Sequence, residues 1–96
     1  MTNIYYTIGI DGVNAVNAAL KINAGMCYST ICNGIAQLEA VLDDYVTCSY
    51  IENESDITFV LNALKEMGFN GCKCSVSRDI EDGCYVTCET LYETVI

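Results

Sequence analysis

An α+β fold is what this sequence predicts, on three observations. Ile4, Tyr6, Ile8 and Ile10 alternate with Tyr5, Thr7 and Gly9 at the period of a strand. Ile57, Val60, Leu61 and Leu64 recur at the period of a helix. Residues 72–92 are rich in cysteine, valine and threonine around an acidic Glu81-Asp82-Gly83 turn, the pattern of a hairpin. The expected order is β-α-α-β-α-β-β in a single small domain over residues 1–96, a mostly antiparallel sheet with helices packed on one face and a C-terminal β-hairpin. No proline, low-complexity tract or Gly/Ser linker marks an internal boundary.

The elements follow in order. Asp11-Gly12 ends the first strand, and Asp11 is placed to cap a short helix carrying Val13, Val16, Ala19, Leu20 and Asn23, with Gly25 to stop it. Ser29 or Thr30 opens a second helix whose stripe is Ile31, Ile35, Leu38 and Leu42, with Glu39, Asp43 and Asp44 on or beside its outer face. Tyr45–Ile51 is β-branched and aromatic, hence a strand. Asn53 or Ser55 caps the third helix, Asp56 favours its N-terminal dipole, and Lys65, Gly68 and Phe69 close it.

The pleat constrains the hairpin. A two-residue Asp82-Gly83 turn pairs Ser77 with Cys88 and splits the apolar residues between faces. A three-residue loop with Gly83 left-handed pairs Ile80 with Cys84 and Val76 with Cys88, gathering Cys72, Cys74, Val76, Ile80, Cys84, Val86 and Cys88 on one face. The second register is the one expected.

Charge is the most unusual property: thirteen acids, four bases and no histidine give a net charge of −9. Residues 1–38 carry only Asp11 and Lys21, so the charge lies beyond them. Lys21, Lys65, Lys73 and Arg78 are too few and too scattered to displace counterions from nucleic acid, which excludes direct binding to it. The same count excludes anionic membrane surfaces. The start, Met1-Thr2-Asn3-Ile4, has no basic n-region, and the uncharged run from Ile22 to Leu38 is broken by polar residues. The expected location is therefore the cytoplasm, that of the host cell if the chain is virus- or phage-encoded.

Seven cysteines are an odd number with no export signal, so reduced thiols packed in the core are expected rather than disulfides. Cys27-x4-Cys32 and Cys84-x3-Cys88 approach zinc spacing. In an extended strand, however, the latter pair would stand about 13 Å apart, too far to share one ion. Glu52, Glu54 and Asp56 alternate like calcium ligands, but Ile57 and Ala63 occupy the places an EF-hand gives to glycine and glutamate. Cys32 has no histidine to serve as its base, and no phosphate loop or hydrolase motif occurs. The expectation is a non-enzyme with no cofactor and no metal.

What remains is binding. Glu39, Asp43 and Asp44 at the end of one helix and Glu52, Glu54 and Asp56 at the start of another are expected to form one acidic face, with Asp79, Glu81 and Asp82 forming a second cluster at the hairpin tip. Several of Tyr5, Tyr28, Tyr45, Tyr50, Tyr85 and Tyr92 should point outward as contact anchors. Such faces fit a basic protein surface, where rows of carboxylates answer lysines and arginines. In size, charge and lack of a catalytic constellation the chain is similar to small acidic inhibitors encoded by phages and mobile elements. That resemblance implies a nucleic-acid-mimicking inhibitor of a nucleic-acid-handling enzyme, such as an anti-CRISPR or other anti-defence protein. The alternatives are a cysteine-based metal or redox module, and a self-associating protein that forms a homodimer through its nearly uncharged first 38 residues.

Overall fold

A computed structural model of the chain describes residues 2–22 and 29–96. Its strands are β1 (Thr2–Asp11), β2 (Ser29–Ile31), β3 (Ala36–Leu42), β4 (Tyr45–Ile51), β5 (Lys73–Asp82) and β6 (Tyr85–Val95), and its helices α1 (Val13–Lys21) and α2 (Ile57–Leu64). The strands join in one sheet of order β2-β3-β4-β1-β5-β6, and every neighbouring pair is antiparallel. The α+β class, the antiparallel sheet and the C-terminal hairpin are as the sequence predicts.

One face of the sheet is covered by helix and the other is open. Tyr6, Ile8 and Ile10 of β1, Leu38 of β3, Val46 and Cys48 of β4, and Cys74 and Val76 of β5 all turn inward and are buried. They meet Ala15, Ala18 and Ala19 of α1, and Ile57, Val60 and Leu64 of α2, in one core. Alanines are what let α1 lie close to β3 and β4, because a small side chain brings two backbones together. Phe69, fully buried, closes the core after α2. The chain reaches it through a wider turn, Lys65–Phe69, ended by Gly68 at φ 118°, a value that favours glycine.

The second helix of the sequence reading does not form. Residues 29–42 make β2, a left-handed turn at Cys32, Asn33 and Gly34 (φ 54°, 56° and 91°), and β3. The segment that fits a helical stripe also alternates Ala36, Leu38 and Ala40 inward with Gln37 and Glu39 outward, and pairing with β4 decides between the two periods.

Further corrections concern ends and registers. Asp11 remains in β1, opposite Tyr45, and Gly12 (φ 113°, ψ 155°) precedes α1 without any side-chain cap. Val13 and Leu20 of the expected stripe are exposed, while Gly25 lies outside the described residues. Neither Asn53 nor Ser55 caps α2 through its side chain. A short turn, Glu54–Asp56, leads in instead, with the Asp56 amide donating to the Asn53 carbonyl at 3.0 Å. The hairpin turns at Gly83-Cys84, pairing Asp82 with Tyr85 and Ile80 with Thr87. Gly83, at φ 62°, occupies the first loop position, where mirror-image hairpin turns want glycine.

That register overturns the expected gathering of cysteines. Cys48, Cys72 and Cys74 are buried and Cys32 is partly so, but Cys84 and Cys88 are exposed; Cys27 lies outside the described residues. Gathering them on one inward face would require β6 to lie over the core. β6 is an edge strand from which only Leu91 packs against the core, so burial does little to select its alternation.

Candidate functional site

The topology decides which carboxylates meet. β4 and β5 both run antiparallel to the central β1, so their C-terminal ends emerge on the same side of the sheet. Glu52, Glu54 and Asp56 follow β4, and Asp79, Glu81 and Asp82 end β5. Ile51 and Arg78 both stand beside Tyr6, so the two acidic runs begin two strand spacings apart, about 10 Å. Glu54 is close enough to help hold the Arg78 guanidinium protonated, an effect led by the hydrogen bond from Arg78 to Glu89. Six of the nine carboxylates singled out from sequence therefore share one end of the molecule.

The other three do not join them. Glu39 lies within β3, opposite Thr47 on the open face. Asp43 and Asp44 form the β3–β4 turn, not the end of a helix. The whole of β4 separates them from Glu52, roughly 20 Å of extended chain. Their neighbour is Asp11, across from Tyr45, and the Gly12 amide donates to the Asp44 carbonyl at 2.7 Å. Asp11 is the member of that second cluster which sequence reasoning spent on a helix cap. The single face expected from Glu39, Asp43, Asp44, Glu52, Glu54 and Asp56 is thus two sites at opposite ends.

Between β4 and β5, on the open face, the acidic end carries a groove lined by Tyr5, Thr7, Ser49, Tyr50, Asp79, Glu81 and Val86. A β-bulge builds it. Two residues of β4, Ser49 and Tyr50, stand opposite Thr7 of β1, which lets both face outward while Cys48 and Ile51 stay buried. Tyr50 takes φ 62°, a left-handed conformation rare for a bulky side chain. Its ring meets Tyr5 edge to face, centroids 5.9 Å apart and planes at 76°. Such a pair is favourable by about 0.5–1.5 kcal/mol beyond its buried area.

Asp79 is the fixed carboxylate of the groove. It accepts a hydrogen bond from Thr7 Oγ1 at 2.7 Å. It also accepts one from the Cys88 thiol across the β5–β6 ladder, which holds that thiol protonated above its ordinary range. A second concavity adjoins beyond Tyr50, lined by Asn33, Gly34, Ile35, Glu52, Asn53 and Asp56. Tyr50 thus borders two hollows, one walled by the acids of β5 and the other by those that follow β4.

Basic residues do little to offset this end. Arg78 pairs with Glu89, and Lys73 with Glu93 at 3.3 Å. Among the described residues no other carboxylate forms an ion pair. Of the tyrosines, Tyr50, Tyr85 and Tyr92 are exposed, Tyr5 and Tyr45 are partly covered, and Tyr28 lies outside the described residues. Within the same residues no three acid or cysteine side chains converge as a metal-ligand set, and no helix is long and apolar enough to cross a membrane. No family model, curated protein or solved structure matches the chain.

Proposed function

We propose that this is a non-enzymatic binding protein that docks its acidic end onto a lysine- and arginine-rich surface of a partner protein. The observation that carries the reading is that Glu52, Glu54 and Asp56 share one end of the sheet with Asp79, Glu81 and Asp82, with Asp79 and Glu81 lining one hollow beside Tyr50 and Glu52 and Asp56 lining the other. Carboxylates supply long-range attraction and speed of encounter, while tyrosine supplies contact area with little rotamer entropy to lose. A cationic side chain entering the groove would meet the tyrosines and the Asp79 carboxylate together, and the planar fork of arginine suits a carboxylate.

The finer form of the proposal is an inhibitor, of the kind phages direct against host defence, that occupies the nucleic-acid groove of an enzyme such as a CRISPR nuclease. Two acidic rows about 10 Å apart, joined by the fold, come nearer to a duplex surface than any single row of alternate carboxylates.

The test is binding to a panel of purified nucleases at low and high salt, with duplex DNA as competitor. Binding should fall as salt rises and as DNA is added. The triple reversal Glu52→Lys/Glu54→Lys/Asp56→Lys and the double reversal Glu81→Lys/Asp82→Lys should each abolish it. Asp43→Lys/Asp44→Lys, at the far end, should retain most of it. Salt-independent binding, or equal loss from both ends, would overturn the reading.

A further inference from the structure

Of the first 38 residues, which sequence alone offers as a dimer face, Ile8, Ile10 and Leu38 are buried under α1 and α2, while Ile4, Val13 and Leu20 are exposed. A longer set of exposed apolar side chains, Tyr85, Val86, Tyr92 and Val95, stands along β6. We propose that β6 is the seat of self-association, two copies pairing their β6 strands antiparallel about a two-fold axis so that two sheets become one.

β6 is the outer strand of the sheet and eleven residues long, against three for β2 at the other edge. An outer strand presents a row of backbone donors and acceptors ready to pair, and proteins that stay monomeric usually blunt it with lysine, proline or a cover. β6 has no lysine, arginine or proline, and all of it but Leu91 and Thr94 is exposed. Its β-branched and aromatic residues are exposed on both faces, Tyr85 at 79%, Val86 at 66% and Val95 at 65%.

Charge selects the occupant. With a net charge of −9, most approaches of a second copy set acid against acid. Along β6 the only charges are Glu89 and Glu93, and each is already answered within its own copy, by Arg78 and by Lys73. The strand is therefore the part of the acidic half where a like-charged copy meets least repulsion. An isologous antiparallel pair also satisfies the same ladder groups on both sides.

Sedimentation equilibrium across a concentration series, with hydrogen exchange read by mass spectrometry, tests this. The mass should rise toward twice that of one chain, amides of residues 85–95 should gain protection with concentration, and added salt should tighten the association by screening like charges. Thr87→Lys/Thr90→Lys, both exposed positions, and separately Val95→Lys, should weaken it at least ten-fold while circular dichroism is unchanged. A monomer at every concentration, protection gained outside 85–95, or association weakened by salt would overturn the proposal. Docking on a basic partner has the opposite salt dependence, so either idea can fail alone.

Discussion

Tyr45, at the start of β4, lays its hydroxyl against Gly9 of β1, in the space where a β-carbon would stand. Gly9 is buried although it points to the open face of the sheet, because the tyrosine roofs it. Glycine weakens a strand by its own entropy, and here the loss is met by an aromatic ring lying along the pleat. The roof is also why burial, with Asp11 as a smaller cause, lifts the Tyr45 phenol above its ordinary range.

Gly9→Ala must displace that ring and should cost about 1–3 kcal/mol in urea unfolding. In a Tyr45→Thr background the same substitution should be neutral or slightly stabilising, because only the entropy of glycine remains to be relieved. A double-mutant cycle should give a coupling of at least about 1 kcal/mol; additivity would show that the two residues do not interact.

Tyr50 offers a test of backbone strain. Holding an L-residue left-handed costs about 1–2 kcal/mol, and the edge-to-face contact with Tyr5 returns about 0.5–1.5 kcal/mol. Tyr50→Gly loses the contact but relieves the strain, whereas Tyr50→Val loses the contact and worsens the strain. The glycine variant should be the more stable of the two by at least about 1 kcal/mol in thermal or urea denaturation. Equal stabilities would mean that the bulge relaxes once the ring is gone.

The buried thiols set an alkaline limit on stability. Burial is the leading cause that pushes Cys48 up to about 12 and Cys74 up to about 11, from an ordinary value of 9.0. In the unfolded chain both ionise near pH 9, so above that pH unfolding releases their protons. Their contribution to stability is complete below about pH 9 and is lost as pH rises toward 11–12, by at most about 1.4 kcal/mol per pH unit for each. The urea midpoint should decline from pH 9 to 11, and less steeply in Cys48→Ala or Cys74→Ala, each compared with its own midpoint at pH 7. At neutral pH a thiol reagent should modify Cys84 and Cys88 in the folded protein and reach Cys48 and Cys74 only on unfolding.

What was legible in the sequence divides along physical lines. β1, β4 and α2 were legible because their apolar residues recur at one period only. Residues 29–42 satisfied two: Ile31, Ile35, Leu38 and Leu42 suit a helix, while Ala36, Leu38 and Ala40 suit a strand. The signal that could have decided it is Asn33-Gly34, a dipeptide that favours left-handed turns and sits badly inside a helix. The acidic residues were legible as exposed, but their grouping was not. It depends on β1 lying between β4 and β5, a non-sequential arrangement that no local pattern encodes. The bulge that turns Tyr50 outward is equally hidden, since strict alternation would have sent Tyr50 inward with Cys48.

The central place of β1 also has a consequence for how the chain is made. β1 is made before the two strands that grip it from either side, and the second of them ends only at Asp82. Ile8 and Ile10 must wait for Val76 and Cys74 of β5 before they are enclosed on both sides. Closure of the sheet around β1 is therefore a late step that follows a partial sheet on the β4 side, and chaperones can compete for β1 until β5 arrives.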